Sequence, residues 1–316
     1  MTTAVQAEVV PADSWPARLS LALGDIKIAH SVFALPFAIL GAVMAWKYGN
    51  HVAPGAGWGR LLGLLALIVG CMVLARSWAM LVNRVADREY DARNPRTTRR
   101  AVARGALRAQ DARLMAVLCA AGFIGLCALF GVFFANWWPL ILSAPTLAWI
   151  AFYSFTKRFT AAAHLFLGGA LAASPLAAAI AVDPASLAHT PALWWLAGMV
   201  LFWVAGFDVL YALQDLDFDR GAGLKSIPAW LGARRAIWVS RAMHALAFVS
   251  LVIAWGVDPR LGATFGVAVG LVGAALVAEH WWLARHGVLG LPVAFGVLNG
   301  VISCTAGLFG VVDVLA

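Results

Sequence analysis

The residues best suited to chemistry fall in two acidic clusters. The first reads Asn83-Arg84-Val85-Ala86-Asp87-Arg88-Glu89-Tyr90-Asp91. Asn83, Asp87 and Asp91 recur at i, i+4 and i+8, so on a helix their oxygens stack along one face. The second is Asp215-Leu216-Asp217-Phe218-Asp219, where Asp215 and Asp219 share a face and Asp217 points elsewhere. Asp208 stands seven residues before Asp215, and Arg76 seven before Asn83, each inside an apolar run and on the face of its cluster. An ionised group at membrane depth is costly unless it faces a cavity or a partner. Two acidic clusters on one side of a membrane would also repel each other. The arrangement becomes sensible if cations lie between them. Mg²⁺ suits it, being held by one or two carboxylates with phosphate oxygens completing the shell. A diphosphate bridged by Mg²⁺ is the economical ligand. The competing reading is a salt-bridge network between these acids and the nearby arginines. Glu89 and Asp217, taken singly, read as surface groups. Arg88 is the arginine expected to touch phosphate.

Two further groups belong with these. Tyr153 and Lys157, at i and i+4, can point at one ligand, Lys157 as a point charge and Tyr153 as a hydrogen-bond donor. Lys27 and His30 open the first apolar run and offer a cationic end for an anionic aromatic acceptor. Their alternative reading is a snorkelling lysine and an interfacial histidine. His164, Glu279, His280, Asn299 and Ser303 read as interhelical hydrogen-bond or edge residues. Cys71, Cys119, Cys127 and Cys304 lie in apolar runs with no metal-site or disulfide spacing, so they read as buried packing residues.

Such residues need a scaffold, and composition says which. The chain has 316 residues, 63% hydrophobic and only 12% charged. A soluble domain carries about 25% charged residues, so the bilayer is the natural solvent here. Runs long enough to span it fall near 26–46, 61–83, 114–135, 138–155, 161–182, 192–214, 236–256, 261–283 and 290–312. The expected fold is all-α: a polytopic membrane protein, a bundle of about nine transmembrane helices around a central cavity. Asn136 and Trp137 alone separate the third and fourth runs, which predicts a tight helical hairpin. Pro36, Pro145 and Pro175 fall inside runs and predict kinks. Trp pairs at 137–138, 194–195 and 281–282 sit where an aromatic belt is expected.

Loop charge fixes the expected orientation. Nine arginines follow the second run: Arg84, Arg88, Arg93, Arg96, Arg99, Arg100, Arg104, Arg108 and Arg113. Lys157 and Arg158 follow the fourth, and Arg220, Lys225, Arg234 and Arg235 the sixth. The opposite face has Lys47, Arg60 and Arg260. The basic face, with both acidic clusters and the N-terminus, is therefore expected in the cytoplasm. This bias accounts for the net charge of +8, which is no sign of nucleic-acid binding. Residues 1–22 read as a polar N-terminal tail without signal-peptide features, and 23–316 as one transmembrane domain. Each half has a span running into an acidic cluster and a basic loop, which hints at a repeated helical unit.

Asn83, Asp87 and Asp91, then Tyr153 and Lys157, then Asp215 and Asp219, spread over nine spans, resemble the UbiA-type intramembrane prenyltransferases. The similarity covers nearly the whole chain from about Lys27. Phe33-Ala34-Leu35-Pro36-Phe37-Ala38, the stretch Asn94-Pro95-Arg96-Thr97, Tyr211-Ala212-Leu213-Gln214-Asp215 and Ser226-Ile227-Pro228 look like the 4-hydroxybenzoate polyprenyltransferase-like group. Within it they are most similar to members linked to the futalosine route to menaquinone, which act on a dihydroxynaphthoate. Asp217 stands where Glu is common, and Trp230-Leu231 replaces commoner residues. The resemblance implies transfer of a polyprenyl group from a polyprenyl diphosphate to a ring carbon of an aromatic acid, in ubiquinone or menaquinone synthesis at the inner membrane. It implies Mg²⁺ held by Asn83, Asp87, Asp91, Asp215 and Asp219, with Lys157 aiding departure of the diphosphate. Arg88, Tyr153, Tyr211, Lys27, His30, Arg76 and Asp208 would contact the substrates. Left open are an ion or solute transporter, and a prenyltransferase for haem, a chlorin or a glycerol phosphate.

Overall fold

The computed structural model describes residues 12–26, 32–49 and 57–316, and among these every regular element is a helix. In chain order they are α1 (Trp15–Ile26), α2 (Leu35–Gly49), α3 (Trp58–Ala86), α4 (Arg88–Arg93), α5 (Ala109–Phe134), α6 (Trp138–Thr156) and α7 (Ala163–Val182). Then come α8 (Ser186–His189), α9 (Pro191–Ala212), α10 (Leu216–Gly221), α11 (Ile227–Leu231), α12 (Ala233–Val257), α13 (Ala263–His286) and α14 (Asn299–Leu315). Eight segments, those built on α3, α5, α6, α7, α9, α12, α13 and α14, are long and apolar enough to cross a membrane. The chain is a multi-pass membrane protein. The ninth expected span survives as α2, which has 15 residues. At 1.5 Å per residue that is about 22 Å, short of a hydrocarbon core of about 30 Å.

Helix α9 is the hub. Its buried residues include Leu193, Met199, Val200, Trp203, Val204 and Phe207, and it packs against α7 on one side and α12 on the other. A helix apolar all round belongs in such a position. Trp203 shows why the hub is not purely apolar, since its indole N–H donates to Asn299 Oδ1 of α14 at 2.6 Å. The backbones of α2 and α7 approach so closely at Gly41 that a Cβ there would fall on the backbone of Pro175. Small residues permit this kind of contact between membrane helices.

The α5–α6 hairpin forms as expected. Ala135 takes the left-handed conformation with φ 58° and caps α5, and Asn136 turns back to donate to the Ile180 and Ala181 carbonyls at 2.7 and 3.1 Å. Pro145 and Pro175 lie inside α6 and α7. Pro36 differs from expectation, because it is the second residue of α2. There a missing N–H costs nothing, so no kink is needed.

The stretch read as a polar tail ends in helix α1, which runs through the boundary expected at residue 22. Its Ala22 and Ile26 pack with Leu81 of α3 and with Ala101, Val102 and Leu107 of the arginine-rich loop. Asp25 accepts the Ala101 N–H at 2.9 Å, and Arg18 pairs with Asp111 at 3.2 Å. Helix α1 therefore clamps the loop whose arginines enter the site.

Candidate active site

Helix α3 carries the first cluster at its C-terminal end. The helix breaks at Asp87, yet Asp87 N–H still bonds to the Asn83 carbonyl at 2.9 Å and Asp91 N–H to the Asp87 carbonyl at 2.7 Å. The four-residue spacing thus survives the break, and Asn83, Asp87 and Asp91 line one cavity of about 490 Å³. Asp87 and Asp91 are buried. Asn83 Nδ2 donates to Asp87 at 3.1 Å, and Arg84 donates to Asn83 Oδ1 at 2.9 Å. The second cluster comes from the 3₁₀ turn Leu213–Asp215 that ends α9 and from α10. Asp215 and the buried Asp219 line the same cavity, while Asp217 is exposed as the helical phase requires.

The loop after α4 joins the two clusters. Asn94 donates to Asp215 at 2.8 Å. Arg96 grips Asp215 in a bidentate pair at 2.8 and 2.5 Å, donates to the Tyr211 hydroxyl at 3.1 Å and lies over its ring. Burial opposes the charge on Arg96, but Asp215 and Tyr211 more than offset this and raise its pKa, so it stays a cation. Arg100 contacts both Asp91 oxygens at 2.7 Å. Lys157 and Arg158, at the end of α6, each reach Asp87 at 3.4 Å. The charge of Lys157 is also felt by Asp215 and Asp219. The buried Thr97 fixes the loop by donating to the Asp91 carbonyl at 3.1 Å.

Tyr153, Arg76, Asp208 and Tyr211 all line the cavity. Arg88 does not. It is exposed and pairs with the exposed Glu89 at 3.3 Å. One residue beyond Asp87 is a turn of about 100°, which carries the side chain off the cavity face. Lys27 and His30 lie outside the described residues. Arg96, Arg100, Asn94 and His164 line the cavity without having been singled out for it. Arg96 and Arg100 were concealed among nine similar arginines, and His164 among apolar neighbours.

The cavity has a graded interior. It follows α3 from Ile68 to Asp87, α6 from Pro139 to Lys157 and α7 from Ala163 to Ala181. Each stretch rises about 27 Å. Charged groups occupy one end. Arg76, Tyr153, Asp208 and His164 form a polar layer one to two turns further in. Beyond them stand Ile68, Met72, Phe123, Phe130 and Ala181.

Among the described residues no three His, Cys, Asp or Glu side chains converge tightly enough to hold an ion by themselves. Asp219 is buried beside the neutral Ser226 hydroxyl and has no ion pair within 4.0 Å among the described residues. Hard oxygen donors from two elements, one of them an acid without a direct cation, suit Mg²⁺ completed by phosphate oxygens and water.

Residues 34–309 match the UbiA prenyltransferase family. The chain belongs to this family. Similar curated proteins include the 4-hydroxybenzoate octaprenyltransferase of Alcanivorax borkumensis, 33% identical over 70% of this chain and 72% of that one. The protein of the same name from Acidovorax ebreus is 33% identical over 70% and 73%. Among solved structures, the apo UbiA homolog from Aeropyrum pernix superposes with a TM-score of 0.75 at 30% identity, over 91% of this chain and 98% of that one. A UbiA homolog from Archaeoglobus fulgidus, solved with GPP and Mg²⁺, shares the fold with a TM-score of 0.65 at 16% identity, over 94% of this chain and 100% of that one. The UbiA membership confirms the all-helical membrane architecture expected from the sequence.

Proposed function

We propose that this UbiA-family protein transfers a polyprenyl group from a polyprenyl diphosphate to a ring carbon of an aromatic acid of the 4-hydroxybenzoate or dihydroxynaphthoate type, in quinone synthesis. The observation that carries the reading is the joining of the two acidic clusters across one cavity by Asn94, Arg96 and Lys157. Asn83, Asp87, Asp91, Asp215 and Asp219 would hold Mg²⁺ there. Bound Mg²⁺ would neutralise charge developing on the leaving diphosphate, so that the allylic C–O bond ionises. Lys157, Arg96 and Arg100, now paired with the acids, would exchange those partners for diphosphate oxygens. Arg88, outside the cavity, has no part in this. The apolar walls hold the tail and exclude water that would capture the allylic cation. Arg76 and Tyr153 face the inner layer, where the reacting carbon and the acceptor ring have to meet.

The 4-hydroxybenzoate octaprenyltransferase relatives at 33% identity support a phenolic acid as acceptor. The excess of arginine and lysine on the loops that carry the acids supports a cytoplasmic mouth in an inner membrane. A conducting path is disfavoured, because the charged groups gather at one end and the rest of the lining is neutral, with Ile68, Met72, Phe130 and Ala181 at the far end. The test is prenyl transfer by membranes bearing Asp87→Asn or Asp215→Asn, assayed with and without Mg²⁺ against both acceptor types. Each variant is expected to fall at least about 100-fold. Wild-type turnover in either removes that acid from the metal-binding role, and failure of both acceptors with wild-type protein removes the aromatic reading.

A further inference from the structure

The inner polar layer contains an acid that the grip on the diphosphate does not use. Asp208 lies seven residues before Asp215 on α9, a rise of about 10 Å. Its carboxylate lines the cavity and its side chain is 25% exposed there. His164, at the start of α7, approaches it with Nδ1 at 2.7 Å from Asp208 Oδ2. The other ring nitrogen settles the tautomer. His164 Nε2 accepts the backbone N–H of Ile227 at 3.2 Å, and an amide N–H is always a donor. Nε2 therefore carries no proton, and Nδ1–H is the donor to Asp208. His164 is buried, and its two ring contacts fix its orientation toward Asp208.

The surroundings place this acid where an acceptor ring must lie. Tyr153 of α6 is close enough to feel the charges of Arg84 and Arg76 of α3 and of Asp208 of α9. Arg76, Arg84, Tyr153 and His164 line the same cavity as Asp208. A diphosphate gripped at the acidic clusters and a tail in the apolar channel leave the allylic carbon between them, at this layer. Arg76 supplies a cation for a carboxylate, and Asp208 supplies the complementary group, an anion that can accept a proton.

Resting on the function proposed above, we propose that Asp208 is the general base that takes the phenolic proton of the acceptor, with His164 as its positioning residue. The allylic C–O bond breaks and its electron pair leaves with the diphosphate. The phenolic O–H proton passes to Asp208, and electron density from the resulting oxygen drives the ring carbon onto the allylic carbon, forming the C–C bond. The hydrogen on that ring carbon then moves to the oxygen as aromaticity returns. One proton is released overall, and it leaves to water through Asp208.

The experiment compares wild type, Asp208→Asn, Asp208→Glu and His164→Ala in nanodiscs with polyprenyl diphosphate and Mg²⁺. Two rates are followed: prenyl transfer, and slow diphosphate release without acceptor. Two acceptors are used: 4-hydroxybenzoate, and a fluorinated analogue with one open position beside the hydroxyl and its phenol ionised at the assay pH. Asp208→Asn is expected to lose about 10²–10⁴-fold in transfer to 4-hydroxybenzoate, the usual contribution of a positioned base. The loss should shrink to under about tenfold with the fluorinated acceptor. Diphosphate release should stay within about threefold, which also shows that the variant folds. Asp208→Glu should recover most of the transfer rate, and His164→Ala should lower kcat with KM for prenyl diphosphate unchanged. An equal loss with both acceptors, or diphosphate release falling as far as transfer, overturns the assignment. Absence of transfer by wild type to either acceptor, with diphosphate release intact, instead sinks the proposed function.

Discussion

Arg96 offers the sharpest test of how the site is wired. It holds Asp215 through two short contacts, and the pair is neither surface nor core, with side chains 28% and 16% exposed. Exposed pairs are worth about 0–1 kcal/mol, whereas removing one partner of a buried pair costs about 3–5 kcal/mol. Arg96→Gln should therefore destabilise the metal-free protein by about 2 kcal/mol. Spread over an unfolding entropy of about 2.1 cal/mol/K per residue, this lowers the thermal midpoint by about 3 °C. The same substitution should strengthen Mg²⁺ binding in the absence of diphosphate, because Arg96 and the metal compete for Asp215. If all of the lost 2 kcal/mol reappears as metal affinity, Mg²⁺ binds up to about 30-fold more tightly. Thermal unfolding in nanodiscs across a Mg²⁺ titration reads both quantities. A variant with the wild-type midpoint and the wild-type Mg²⁺ response would refute the competition.

Three other outcomes are expected. Arg88→Ala should leave turnover and KM within about twofold of wild type, while Arg100→Ala, which strips Asp91 of its close partner, should raise KM for prenyl diphosphate at least about tenfold, about 1.4 kcal/mol; steady-state kinetics of the two variants side by side checks this. Ala181→Phe places a ring at the apolar end of the cavity, about 27 Å from the charged end by helix rise, so competition assays should show reduced use of long polyprenyl diphosphates with short ones unaffected. Mg²⁺ and a non-hydrolysable prenyl diphosphate analogue should bind cooperatively, each tightening the other at least about tenfold in calorimetry, and independent binding would count against a shared site.

Sequence alone carried the parts of the site that depend on local geometry. The spacing of Asn83, Asp87 and Asp91 dictates a common face on any helix, and it survived even the break in α3 at Asp87. Convergence of the clusters followed from topology, because an even number of spans separates them. Long-range pairing was harder to see. Nine arginines in one loop look alike in sequence, and only the fold of Asn94–Thr97 against Asp91 aims Arg96 at Asp215. Arg88 follows Asp87 along the chain, but helical phase carries it off the cavity face to pair with Glu89. The π-helical stretch Pro292–Leu298 before α14, and α1 within a segment that looked like a tail, arise from tertiary packing that a hydropathy run does not encode.

The salt-bridge network and the proposed metal-diphosphate site, set against each other on sequence grounds, are compatible in the fold. Asp87, Asp91, Asp215 and Asp219 face Arg84, Arg96, Arg100 and Lys157 around one cavity. Four acids and four cations leave the metal-free site close to neutral, which is what burial at the edge of a bilayer demands. A diphosphate entering alone would have to pull the cations away and leave buried carboxylates unpaired, at several kcal/mol each. Divalent metal entering alone would strand the arginines in the same way. Entering together, the two bring little net charge, and every group changes partner without being left bare: carboxylates pass to metal, and arginine and lysine pass to phosphate. On the proposed function, the ion pairs would be the resting state of a site for a ligand that is itself an ion pair, and the same pairs would discourage either half from occupying it alone.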